Sequence, residues 1–103
     1  MSDRLAAARA YIVRKPTDRF GLYALAMELR KEKDWPACFE AFDTLLTVHP
    51  DYGTGFYHYA MAQKEAGDRD ACVATLERGL GACARSKDAH TEAEIESALD
   101  EMR

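Results

Sequence analysis

Residues 17–50 and 51–84 are two copies of one pattern. Laid over each other without a gap, they pair Gly21 with Gly55, Tyr23 with Tyr57, Ala26 with Ala60, Met27 with Met61, Asp34 with Asp68, Ala37 with Ala71 and Cys38 with Cys72. The offset of 34 residues is the period of a helix-turn-helix unit, which cannot bury its apolar face alone and has to stack on a neighbour. An all-α array of helix pairs follows, with about six helices once both flanks are included.

The flanks fit the same plan. Residues 3–15 read as the second half of a copy whose first helix is absent: Pro16 lies 34 before Pro50, and Leu5, Ala8 and Ile12 fall where Phe39, Phe42 and Leu46 fall later. Their i, i+3, i+7 spacing makes one apolar face and predicts a helix over 3–14. Pro16 stops it, because proline disfavours helical geometry in the residue before it. Thr17 or Asp18 can cap a helix reaching 31–32, and Asp34 caps the next, which tolerates Pro36 in its first turn and ends near Val48. The second copy predicts helices over 53–66 and 69–85, with Gly67 left-handed between them and Asp68 as the cap. Gly79 and Gly81 weaken the later helix. A closing helix within 87–103, capped by Asp88, carries its apolar stripe on Ala89, Ile95, Leu99 and Met102. The chain therefore reads as one domain, 1–103, built from a half-copy (3–15), two copies (17–50 and 51–84) and a cap (87–103).

The repeated words resemble a known family. Leu22-x2-Leu25-Ala26-x2-Leu29, then Cys38-x3-Phe42 and Pro50, is similar to the tetratricopeptide repeat. The second copy reads Phe56-x2-Tyr59-Ala60-x2-Gln63, then Cys72-x3-Leu76, with Ala84 where the proline would fall. Gln63 in place of an aromatic, Leu45 and Gly79 in a slot for a small residue, and the missing second proline are the departures. The resemblance implies a right-handed α-solenoid of antiparallel helix pairs, with Ala26, Ala60, Cys38 and Cys72 letting paired helices approach and larger side chains filling between them.

It also implies a function: a protein-protein interaction module or adaptor that binds a peptide or helix segment in a concave groove lined by the first helices. By that resemblance the groove residues are Phe20, Tyr23, Met27, Arg30 and Lys31 from the first copy, with Thr54, Tyr57, His58, Met61, Lys64 and Glu65 from the second. The residues point the same way on their own. Leu22, Leu25, Ala26 and Leu29 face the helix partner, so Phe20, Tyr23 and Met27 form a second apolar stripe that the helix pair does not use. Either the closing helix folds over Tyr57 and Met61, or a peptide does, with Arg30, Lys31 and Lys64 at the rim favouring acidic flanks. Chaperone-tail binding is not expected. Family members with that activity clamp a carboxylate with basic and amide groups, and here Tyr23, Met27 and His58 stand at three of those places and the acids Asp88 and Glu92 at two others.

Composition narrows the classes. At 103 residues, with 48% hydrophobic and 31% charged residues, the chain has the make-up of a soluble globular domain, and its longest apolar runs are too short to span a bilayer. Charges within the first residues disfavour a secretory leader, so the expected compartment is the cytoplasm. A net charge of −4 argues against nucleic acid as a partner. The charge is divided: residues 1–15 hold Arg4, Arg9, Arg14 and Lys15 against Asp3, whereas residues 85–103 hold six acids against Arg85, Lys87 and Arg103. Solvated end-caps explain this, and so does a weak homo-oligomer joined head to tail; a structural subunit that homo-oligomerises through its terminal helices is the alternative function.

An enzyme is not expected. His49, His58 and His90 have no nucleophile at a telling spacing, and no phosphate loop, HExxH or CxxC pair occurs, so no cofactor or metal is implied. Cys83 with His90 is the nearest thing to a metal pair and lacks further ligands. Three cysteines do not make a disulfide framework; Cys38 and Cys72 read as small buried groups, Cys83 as more exposed.

Overall fold

The computed structural model describes residues 2–103, and among them every regular element is a helix. The elements are α1 (Asp3–Arg14), α2 (Arg19–Lys31), α3 (Trp35–Val48), α4 (Gly53–Glu65), α5 (Arg69–Ser86) and α6 (Ala89–Met102). They fall into two compact units: the first ends at His49 and holds α1 to α3, and the second, Pro50–Arg103, holds α4 to α6. The division lies beside the border between the two sequence copies.

At three turns a single aspartate serves two helices. Lys33, Gly67 and Lys87 turn left-handed, with φ of 57°, 89° and 58°. The next residue's N–H then reaches back to a carbonyl of the closing helix: Asp34 to Leu29 at 3.2 Å, Asp68 to Gln63 at 2.9 Å, Asp88 to Cys83 at 3.0 Å. The same aspartates accept from the first turn of the following helix, at Ala37 N–H (3.4 Å), Ala71 N–H (3.1 Å) and Thr91 N–H (3.1 Å). One residue thus satisfies orphan groups on both sides of a turn of only two or three residues, and the joined helices are forced side by side.

In the first unit α2 packs against both α1 and α3. Asp18 caps α2 through Gly21 N–H at 2.8 Å and accepts the Tyr11 hydroxyl of α1 at 3.1 Å. Ala26 and Cys38 are fully buried where α2 meets α3, and the Cys38 thiol donates to the Ala26 carbonyl at 3.5 Å. A larger side chain at either place would push the helices apart.

In the second unit α5 lies between α4 and α6, and α4 also touches α6. Ala60, Cys72, Leu76, Cys83, Ile95, Leu99 and Met102 form one buried cluster. Burying each large aliphatic member stabilises the unit by about 1.5–3 kcal/mol. Gly79 sits where the three helices converge: a Cβ there would lie 2.8 Å from Ile95 Cδ1 and 2.9 Å from Phe56 Cβ. The glycine that reads as a weak point in α5 is therefore a place where both neighbouring helices approach too closely for a side chain. The Arg69 guanidinium donates to the Met102 carbonyl, and Arg85 donates to Asp51 Oδ1 at 2.6 Å and to the Pro50 carbonyl at 3.0 Å.

Cys83 corrects an expectation. It is buried rather than exposed, because α5 continues past it to Ser86 and Ile95 and Leu99 of α6 share its cluster. All three cysteines are buried free thiols, and burial raises the pKa of Cys72 and Cys83. They pack as inert small groups.

Candidate functional site

On α2, Phe20 is 69% exposed, Tyr23, Met27 and Arg30 are half-buried and Lys31 is exposed. Lys31 pairs with Glu28 at 3.3 Å, so its charge is partly answered within the helix. The Arg19 guanidinium lies 5.5 Å from the Phe20 ring centre. Phe20 also lines an open hollow of about 720 Å³ at the α1–α2 turn, together with Arg14, Lys15, Arg19 and His49. His49 Nε2 is 2.8 Å from the Thr17 carbonyl, to which it donates.

A second hollow of the first unit lies elsewhere on α2. Leu22, Leu25 and Leu29 form the floor of a groove of about 400 Å³ whose walls come from Arg9 and Ile12 of α1 and Ala37, Glu40 and Ala41 of α3. Sequence reading assigns these leucines to the helix partner. Leu22 and Leu29 are buried as that reading has it, whereas Leu25 is only half-buried, because α1 and α3 both pack on α2 without closing over it.

The second unit holds a further recess. Tyr57, Met61 and Lys64 of α4 face His90, Ala93, Glu94, Ser97, Ala98, Glu101 and Met102 of α6 across an open groove of about 420 Å³. Tyr57 and Met61 rest on the buried cluster beneath, so α6 covers one side of them and leaves the other open. Of the other α4 residues expected in a groove lined by the first helices, Thr54 and His58 are half-buried and do not line this α4–α6 recess; the His58 ring meets Tyr57 edge-on at 5.2 Å. Glu65 is exposed.

The closing helix is one of the two covers expected for Tyr57 and Met61, and the structure adds which of its residues form the wall. Its one sequence signal is the run of small residues, Ala93, Ser97 and Ala98, interleaved with the acids of a helix whose other face carries the apolar stripe. Those acids change the electrostatics. Glu94 and Glu101 stand opposite Lys64, so the rim is more acidic than basic, the reverse of what α4 alone suggests. His90 Nε2 lies 3.4 Å from Glu94 Oε1 at the surface.

Asp88 has a structural task. Its carboxyl is held below the ordinary value of 3.8 first by the Thr91 hydroxyl and then by the Thr91 N–H. Among the described residues no group of three or more His, Cys, Asp and Glu side chains is arranged to hold a metal ion, and no helix is long and apolar enough to cross a membrane.

The fold has a counterpart among solved structures. It is similar to protein BPP2914 from Bordetella parapertussis. The solution structure of that protein superposes with a TM-score of 0.82 over 99% of this chain and 89% of the other, at 17% identity. At that identity the likeness concerns the fold alone. No family model matches the chain, and no curated protein matches it.

Proposed function

We propose that this chain is a protein-interaction module of the tetratricopeptide type, with a recognition groove between α4 and α6. The observation that carries the reading is the open, part-apolar recess where Tyr57, Met61 and Met102 meet over a rigid cluster. Ring and thioether groups held this way offer contact area at small entropic cost, and methionine adapts to the shape of what arrives. The mechanism is passive: a partner places an apolar side chain between the two helices while polar groups at the rim select its flanks. Phe20, Tyr23 and Met27 on α2 are the second contact surface, supported by the exposure of Phe20. Free buried thiols fit a reducing compartment, the cytoplasm in this reading.

The test is affinity capture from native cell extract by wild type and by a variant carrying Tyr23→Ala, Met27→Ala, Tyr57→Ala and Met61→Ala. The expected result is loss of specific partners by a variant that keeps its helical circular dichroism. Recovery of the same partners at equal strength by the folded variant would overturn the proposal.

A second reading, a subunit that self-associates through its terminal helices, is favoured by a separate observation. Basic residues crowd α1 and acidic ones α6.

A further inference from the structure

The outer face of α1 has no covering among the described residues. Leu5 of this helix is buried and Ala8, Tyr11 and Ile12 are half-buried, whereas Ala6, Ala7, Ala10 and Val13 are exposed, Val13 at 82%. At 100° per residue Ala6, Ala10 and Val13 share one stripe, with Arg9 on one side of it and Arg14 on the other. This is a smooth apolar ridge between two positive charges. The groove on the second unit is its complement on the α6 side: an apolar floor at Tyr57, Met61 and Met102, small residues along the α6 wall, and Glu94 and Glu101 at that rim, with Lys64 the one lysine or arginine of the lining and standing on the opposite, α4 wall.

We infer that the α4–α6 groove receives α1 of a second copy of this chain. Val13 sits against Met61 and Met102, and Arg9 and Arg14 pair with Glu94 and Glu101. Small residues on both helices, Ala6 and Ala10 on one and Ala93 and Ser97 on the other, let the axes approach to about 8 Å. Glu94 and Glu101 are seven positions apart on one row of α6, about 10 Å, while Arg9 and Arg14 are five positions apart, about 7.5 Å, on either side of the α1 ridge, so α1 crosses α6 at an angle that brings one arginine to each glutamate. The reach of arginine side chains bridges that difference. Charge complementarity decides in favour of a second copy over an acidic peptide, because an acidic segment would meet Glu94 and Glu101 with like charge. The contact is heterologous, so it joins copies in sequence unless two of them exchange α1 reciprocally. The inference rests on the reading of this groove as a docking site.

Sedimentation of the full chain, from micromolar to millimolar concentration in low salt, tests it. The expected result is a mass that rises with concentration and falls back toward the monomer near ~1 M salt, where screening acts within ~3 Å. Arg9→Glu with Arg14→Glu, and separately Glu94→Arg with Glu101→Arg, each weaken self-association by about tenfold or more. An equimolar mixture of the two double variants regains association, since each then offers the other opposite charges. Methyl resonances of Met61 and Met102 shift with concentration in the wild type. A wild type that stays monomeric at millimolar concentration, or an association that survives either reversal, overturns the inference. The capture experiment above does not depend on self-association, so the groove can stand if this occupant fails. Charge-dependent association that leaves both methionine methyls unmoved would place the contact elsewhere and overturn this use of the groove.

Discussion

Lys33 and Gly67 make the same left-handed step at the end of the first helix of their copies, with φ of 57° and 89°. Each is followed by an aspartate that closes one helix and opens the next, so the two turns share their hydrogen bonds as well as their backbone path. Their side chains differ in strain. A left-handed backbone brings the Cβ of lysine close to the following carbonyl, and glycine has none.

Lys33→Gly is therefore expected to stabilise the protein, by about 1 kcal/mol, and Gly67→Ala to destabilise it by a similar amount. Urea unfolding followed by circular dichroism measures both. An unchanged midpoint for Lys33→Gly would mean that the turn carries no strain.

Gln63 occupies in α4 the place that Leu29 holds in α2, and both are buried. The Gln63 Oε1 has no hydrogen-bond partner among the described residues. Leaving a polar atom buried and unpaired costs about 1–3 kcal/mol, so Gln63→Leu is expected to raise the unfolding free energy by roughly that amount. A drop in thermal midpoint would show that the amide is satisfied in solution.

Two glycines in one helix have opposite expectations. A Cβ at Gly81 would meet only the end of the Arg85 side chain, at 3.2 Å, and that group can move; Gly81→Ala should stabilise α5 by about 0.5–1 kcal/mol. At Gly79 the obstacles are Ile95 and the Cβ of Phe56, which cannot move without moving a helix. Gly79→Ala should destabilise by about 1–3 kcal/mol, the range for overpacking a core. Paired denaturant titrations decide the sign of each.

Asp88 links stability to pH. Because folding lowers its pKa, the unfolded chain binds the proton more readily there, so its contribution is fully present above the ordinary carboxylate range and is lost as pH falls through the folded value. Asp88→Ala is expected to cost about 1 kcal/mol near neutral pH, as for other caps. Asp88→Asn keeps the cap and removes the titration, so its stability should fall less steeply below pH ~4 than that of the wild type. Equal slopes for the two proteins would exclude the linkage.

The helices were legible because their signals are local. Asp34, Asp68 and Asp88 act within five residues of themselves, and Gly67 needs only its own backbone, so element order and ends follow from spacing. Tyr57, Met61 and Lys64 were legible as one face of α4 that its packing does not consume, and that face lines the α4–α6 recess. The other wall was legible only as a closing helix that could fold over Tyr57 and Met61, not by its residues. Which residues of α6 face Met61, why α5 needs a glycine at 79, why Cys83 is covered and why Leu25 is not are set by how closely helices approach. That distance depends on side chains from three helices at once, and one helix's periodicity reports only which of its faces is apolar. The sequence alone thus determined the helices, their caps and their duplication; the tertiary structure decided where apolar surface stayed open and turned the rim of the α4–α6 groove acidic.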